Sequence, residues 1–587
     1  MYTFFAILII TLFSLIVNPG YKVFTGDQAI YIPQVLHAQN PLLFTKDMLT
    51  SFNEMDYLFF DELIALTNKI FNINLIYSLF ILSFVTRFIY YYSIYKIALY
   101  FSSNKNFSFL ITIIFISGFN VYGYPYTTME TVLSPRLMGL SFYLLFLATI
   151  LNNSRLIAFM SLILGILIYP ILSPPFVIFF FAKIYPSLKQ IKYLALKILF
   201  LSLISLFFIL VITRNSLPNF NFLVFGSVDP LWENIIRLKN PYYFISTWNY
   251  QLLVLLGTTI LFFVLVKEAK VLFPEKTKKL YFYTLIFTPL LFLLLYLIAV
   301  EWFRMYFYTQ LQIIRIISLW KIFSALFFSY FIFKRIKRNP SNILENFFSL
   351  GIISSFIFKE SFIFPLPVKE SLFLLFLPGF IYFWLKLPKK IIALLLITLF
   401  SFVLSKLLLI RLLQLAPLIT LIAVIIYLIN KKHNYFRKYQ YLIEPVSLLL
   451  LIMSIVLKIP NFKITPDYYD DKLFMDACNW IKTNTSINDI FITEPFSDMS
   501  TPLRLSCLRN IYVSRKDGSL SLFDRNYALE WKKRMDTLVE LKGDDQLLSQ
   551  LSHQYQINYV FSNSKLETDF QASYHNSKYY IYKLNKP

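Results

Sequence analysis

Apolar runs of about 20 residues, the length a helix needs to cross a bilayer core, recur along most of this chain. About fifteen segments between Tyr2 and Lys458 fit that length. They lie near 2–18, 74–99, 107–123, 131–151, 155–170, 172–186, 192–213, 250–268, 279–299, 311–333, 344–363, 370–387, 389–408, 412–430 and 441–459. The short pair around Pro170 and Pro175 reads as two broken half-spans or one re-entrant unit. The expected fold is an all-α polytopic membrane bundle of about 13–15 transmembrane helices over residues 1–460, with a small C-terminal α/β domain over 461–587.

The net charge of +23 would fit a nucleic-acid partner if it were spread over a soluble surface. It is not. Residues 461–587 carry 16 basic and 16 acidic side chains, so the whole surplus lies in residues 1–460. There it clusters in alternate short loops, at Lys183, Lys189 and Lys192, at Lys276, Lys278 and Lys279, at Lys334, Arg335, Lys337 and Arg338, at Lys386, Lys389 and Lys390, and at Lys431, Lys432, Arg437 and Lys438. That alternation is the positive-inside pattern, so the charge sets topology and no nucleic-acid partner is expected. It puts the amino terminus in the cytoplasm, and loop 19–73 and the tail outside. The first span lacks a basic n-region and a small-residue cleavage site and reads as a retained anchor.

From about Asn461 the sequence changes character. Residues 470–483 place Leu473, Phe474, Ala477, Trp480 and Ile481 on one helical face. Strands are expected at 489–493, 557–562 and 578–584, and further helices at 525–541 and 545–555. Both cysteines, Cys478 and Cys507, fall in this tail, where an exported domain permits a disulfide and two buried thiols are the alternative. No CxxC, HExxH, P-loop or GxGxxG pattern occurs, so zinc, ATP and dinucleotide chemistry are not expected.

The remaining chemistry lies at the mouth of the bundle. Asp27 lies in the run TGDQAIYIPQ (25–34), and Asp47, Glu54, Asp56, Asp61 and Glu62 follow in the same loop. Asp27, Tyr31 and Gln34 share one side of a short helix by their spacing. There a carboxylate serves as a base or as an oxygen ligand to a divalent metal. The local pattern favours a plainer role, since an aspartate just before an apolar-periodic run routinely caps the helix. Glu130 and Arg136 belong to a second outward loop, and a guanidinium at that depth either clamps a phosphate or snorkels to headgroups. Arg87 lies deeper, near the middle of the second span. Glu301, Arg304, Gln310, Gln312 and Arg315 form a polar approach to a later span, with Gln312 and Arg315 one turn apart. Residues 214–250 read as an interfacial helix plus turn, with Trp232 and Trp248 at headgroup level.

Four stretches carry a resemblance: GDQAIYIPQVLHAQNPLLFTKDML (26–49), LSPRLMGLSFYLL (133–145), QLQIIR (310–315) and WIKTNTSINDIFIT (480–493). With the acidic first loop, the many spans and the external tail, the chain resembles the GT-C superfamily of polytopic membrane glycosyltransferases, in an uncharacterised bacterial branch. The resemblance implies an inverting transfer from a polyprenyl-phosphate-linked sugar donor to an envelope glycan or lipid acceptor, at the external face of the bacterial inner membrane. It makes Asp27 the base or a ligand to Mg or Mn, with Glu130 and Asp47 as further carboxylates. Arg136, Arg304, Arg315, Gln312, Gln34, Tyr31 and Arg87 then line the substrate site. The chain departs from better-known members in having Asp27 followed by Gln28 instead of a second acid, and in lacking a WWD-type tail signature. A flippase or other transporter, or a non-catalytic glycan-binding scaffold, would use the same residues differently.

Overall fold

The computed structural model describes residues 2–50, 59–116, 118–119, 121, 127–188, 226–248, 255, 259, 263, 265–338, 362–363, 366–367, 443–494, 496–541 and 544–584. The expected spans 192–213, 370–387, 389–408 and 412–430 lie outside the described residues, as do most of 250–268 and 344–363.

The described part is mostly helical. Three helices are long and apolar enough to cross a membrane, Leu75–Ser102, Lys276–Trp302 and Ile313–Arg335. Tyr2–Ile16, Lys105–Ile114, Pro135–Leu151, Arg155–Ile168, Pro170–Phe181 and Ser447–Asn461 are apolar but shorter. At 1.5 Å per residue, even the 17 residues of Pro135–Leu151 rise only about 25 Å, short of a core of about 30 Å. The chain thus has membrane-helix character with fewer full-length spans among the described residues than the apolar runs predict. A 3-10 turn at Pro170–Leu172 divides Arg155–Ile168 from Ser173–Leu188, so the Pro170–Pro175 stretch is a break between two helices. The helix Ile443–Lys458 exposes Leu449, Leu450, Met453, Val456 and Leu457, a face suited to lipid and costly in water.

Between the first helix, α1 (Tyr2–Ile16), and the long helix α4 (Leu75–Ser102), the chain forms two short helices, α2 (Gln28–Gln39) and α3 (Phe60–Phe71). α4 packs on α1, on the helix α5 (Lys105–Ile114) and on the helix α6 (Pro135–Leu151). The loop before α6 therefore sits beside the start of α2.

The tail closes as a five-stranded sheet, with strand order Asn510–Ile511, Ile490–Thr493, Ile557–Ser562, Tyr580–Lys583, Ala572–His575. The first three strands run parallel, and the last two add antiparallel. Lys472–Asn484 buries Phe474, Ala477, Cys478 and Ile481, the face its periodicity marks, with Trp480 only partly covered. The helices Arg525–Glu540 and Asp545–Tyr555 fall within a residue of their expected bounds. Cys478 and Cys507 are joined as a disulfide, with Cα atoms 5.2 Å apart.

The tail is docked by charge. Arg504 is 1% exposed and lies between Asp47 of the first loop and Asp517 of the tail, both fully buried. Its Nε and Nη2 donate to the two Asp47 oxygens at 2.8 and 2.9 Å, while Nη1 and Nη2 donate to Asp517 at 2.7 and 2.9 Å. The backbone N–H groups of Leu49 and Ile511 complete Asp47, and Ser514 completes Asp517. Burial, opposed by Arg504 and reinforced by Asp517, holds the Asp47 carboxyl above its ordinary value. Around this lock, Trp232 Nε1 donates to the Ser521 carbonyl at 2.8 Å, and Tyr306 and Gln310 both donate to the Phe523 carbonyl. Trp232 is thus spent on the tail and not at a headgroup layer.

Removing one partner of a fully desolvated ion group costs about 3–5 kcal/mol, because the other charges stay buried and unpaired. Arg504→Met is expected to lose about that much tail stability, whereas Lys22→Ala, which breaks the exposed Lys22–Asp467 pair, loses under about 1 kcal/mol. Limited proteolysis of the tail against temperature measures both.

Candidate functional site

Asp27 precedes α2 in the N-cap position, yet its side chain makes no capping hydrogen bond. This corrects the cap reading. Asp27 Oδ2 instead accepts from Arg136 Nη2 at 3.0 Å, across 109 residues. Arg136 begins α6 beside Pro135, where Ser134 caps the helix through the Leu137 N–H. Its Nε and Nη2 also donate to the two oxygens of Glu130, at 2.7 and 2.9 Å. One guanidinium thus serves two carboxylates, a group with net charge −1. Arg136 and Glu130 are nearly buried, while the Asp27 side chain is 37% exposed.

Neighbouring groups fix this geometry. Gln28, standing where a second acid was looked for, is fully buried. It accepts from the Phe24 N–H at 2.7 Å and donates to the Leu133 carbonyl at 3.0 Å, tying the start of α2 to the loop before α6. Arg87 is also fully buried, and donates to the carbonyls of Ser14, Gly20, Glu130 and Thr131. That corrects its expected role. Arg87 is a positioning residue that gathers the backbone beneath Glu130, with no face toward a substrate.

Arg315 supplies a further cation. Its Nη1 and Nη2 donate to the hydroxyls of Tyr169 and Tyr243 at 2.5 and 2.9 Å, and the Tyr243 hydroxyl donates to Gln312 Oε1 at 2.9 Å. Gln312 and Arg315 are therefore joined through Tyr243. Tyr169 is set by close helix packing: a Cβ on Gly139 would fall 2.4 Å from the Tyr169 Cβ, and Tyr143 donates to the Tyr169 carbonyl at 2.9 Å.

The tail adds charge that the sequence reading missed. Arg515 and Lys516 precede the turn Asp517–Leu522, and Lys239 ends the helix Pro230–Lys239. Lys516 and Arg315 both act electrostatically on Asp27. Burial raises the Asp27 carboxyl, but Arg136, Lys516 and Arg315 outweigh it and hold the group below the ordinary carboxylate range. Burial, with the nearby charges of Lys516 and Arg515, pushes the Lys239 ammonium down to about 8. The only sequence signal for these residues is the local run Arg515–Lys516–Asp517 in an otherwise balanced tail.

The other expected residues lie apart from this cluster. Asp47 belongs to the Arg504 lock, which corrects its reading as a catalytic carboxylate. Arg304 pairs with Glu233 at 3.1 Å, in a group with Arg237 and Glu301, and not with Asp27. Gln34 donates to the Leu49 carbonyl at 3.3 Å, and Tyr31 packs edge-on against Phe60, so both support the first loop. Trp248 is buried and donates to the Tyr242 carbonyl at 3.0 Å.

Among the described residues, no three His, Cys, Asp or Glu side chains are grouped to hold a metal ion. Asp27 and Glu130 commit three of their four oxygens to Arg136. This donor set does not fit Mg or Mn.

A family model described as Domain of unknown function (DUF6798) matches residues 474–538. No curated protein matches the chain. The matched segment contains Cys478, Cys507, Arg504, Asp517 and the Arg515–Lys516 pair, which are the disulfide, the docking lock and the tail's cations.

A carboxylate with a depressed folded-state value stabilises the fold in full above its unfolded value of about 3.9, and that contribution disappears as pH falls through the folded value. The stability gap between wild type and Asp27→Asn is therefore expected to be constant from pH 5 to pH 7 and to close on acidification below about pH 4. Thermal unfolding of both proteins across that range checks it.

Proposed function

We propose that this chain transfers a sugar from a polyprenyl-phosphate carrier to an envelope glycan or lipid, at the external face of a bacterial plasma membrane. The observation that carries the reading is the ionised, partly exposed Asp27 held beside Arg136 and within the field of Arg315. In this reading the acceptor hydroxyl attacks the sugar C1 as the C1–O bond to phosphate breaks. The bonding pair leaves with the phosphate oxygen, and the acceptor proton goes to Asp27. Negative charge grows on the phosphate during the step, and a preoriented guanidinium such as Arg315 stabilises it. Asp27 is a weak base, so its proton transfer falls late, once the acceptor oxygen has begun to bond. Arg136 and Glu130 orient the carboxylate.

The topology belongs to the same proposal. The proposed placement of the first loop and the tail outside rests on the alternating basic loops of the sequence, with the first apolar segment as a retained anchor; the three membrane-length helices support membrane residence alone. The Cys478–Cys507 disulfide supports an oxidising compartment for the tail.

Mass spectrometry of envelope glycolipids and surface glycans tests the reading in a deletion strain carrying either the wild-type copy or Asp27→Asn. The expected result is that a sugar-modified species disappears on deletion, its lipid-linked precursor accumulates, and only the wild-type copy restores it. Losing the general base is expected to lower transfer about 10²–10⁴-fold. Full restoration by Asp27→Asn at equal protein level would replace the enzyme reading with a transporter or scaffold.

A further inference from the structure

α3 (Phe60–Phe71) is tied at each end to the terminus of an apolar helix. At its start the Phe59 N–H donates to the Leu167 carbonyl at 3.0 Å, beside the last residue of Arg155–Ile168. At its end Asn72, in the left-handed region at φ 49°, turns the chain, and Asn74 caps α4 through the Tyr77 N–H. Four residues from Phe71 to Leu75 reach at most about 14 Å, so the end of α3 stays close to the start of that membrane-length helix. The twelve residues of α3 rise about 18 Å. Held between two helix termini in this way, α3 lies along one face of the bundle and not through it.

Around its axis α3 is divided into three sides. Phe60, Ile64 and Thr67 are buried, and the Phe60 ring meets Tyr31 of α2 edge-on at 6.3 Å. Phe59, Leu66 and Ile70, spaced seven and four residues apart, form a second stripe and are 37%, 47% and 64% exposed. Glu62 and Lys69, also seven apart, are exposed and flank that stripe on the side away from the packed face. An apolar stripe left open beside charged side chains is costly in water and is the pattern of a helix lying in a membrane interface. The neighbouring surface decides the occupant. Phe71 continues the exposed apolar surface at the end of α3, and Tyr77, Ile81 and Val85 carry it on at four-residue spacing down α4, the side that a membrane-length helix turns to lipid. We infer that α3 rests in the headgroup layer of the bilayer, with Phe59, Leu66 and Ile70 against the acyl boundary and Glu62 and Lys69 among the headgroups. Because its packed face carries Tyr31, the helix that begins after Asp27 is set on the membrane surface through α3. This surface stands independently of the transferase reading.

Spin labels on the full-length protein in lipid nanodiscs test this. Both native cysteines are buried and joined to each other, so Leu66→Cys, Ile70→Cys and Lys69→Cys each offer a single reactive thiol at an exposed position. The probes are molecular oxygen, which concentrates in lipid, and a water-soluble nickel chelate. Labels at Leu66 and Ile70 are expected to collide more with oxygen than with nickel, and the label at Lys69 more with nickel than with oxygen. Nickel collisions that dominate at Leu66 and Ile70 as they do at Lys69 overturn the inference, because the stripe then faces water. Spin–spin broadening at Leu66 that disappears on dilution with unlabelled protein also overturns it, and makes a second copy of the chain the cover.

Discussion

Arg504 and the two carboxylates it serves sit where water does not reach. Asp47 and Arg504 are 457 residues apart in sequence, so this contact brings the tail to the first loop. Burying such a group costs several kcal/mol per ion, which is repaid only when each lone pair and each proton has a partner. Here Leu49, Ile511 and Ser514 supply the remaining partners, and the geometry allows one docking register. That register fixes the turn after Lys516 and, through Trp232 and Arg525, the helix that ends in Lys239.

The site repeats the same chemistry with one difference. Arg136, like Arg504, is shared by two carboxylates. In the docking lock both acids are sealed, so every charge is spent on structure. In the second group Asp27 keeps 37% of its side chain exposed and uses one oxygen on Arg136. An ionised carboxylate fixed in direction by a neighbour, and still open on one side, is what proton acceptance requires. The same comparison places Asp47 with stability and Asp27 with the proposed chemistry.

Periodicity made the tail legible. Amphipathic spacing located Lys472–Asn484, Arg525–Glu540 and Asp545–Tyr555, whereas the two-residue strand Asn510–Ile511 and the edge strand Ala572–His575 carry too little pattern to be read. Asp27 and Arg136 were legible as residue types in polar loops between apolar segments. Their pairing was not, because helix-capping rules are local and Arg136 lies 109 residues away. Arg87 shows the converse. Its depth in an apolar helix signals a polar partner, but sequence does not distinguish a substrate from backbone carbonyls. Lys239 and Lys516 escaped notice because each looks like a surface lysine until the tail docks.

The most direct measurement is a cryo-electron microscopy map of the full-length protein in nanodiscs with a bound polyprenyl phosphate-type lipid. The account predicts phosphate density within hydrogen-bond reach of Arg315, with Asp27 facing the carbon end of the bond. Phosphate density at the Glu233–Arg304 group instead, with the space beside Asp27 closed, would contradict it.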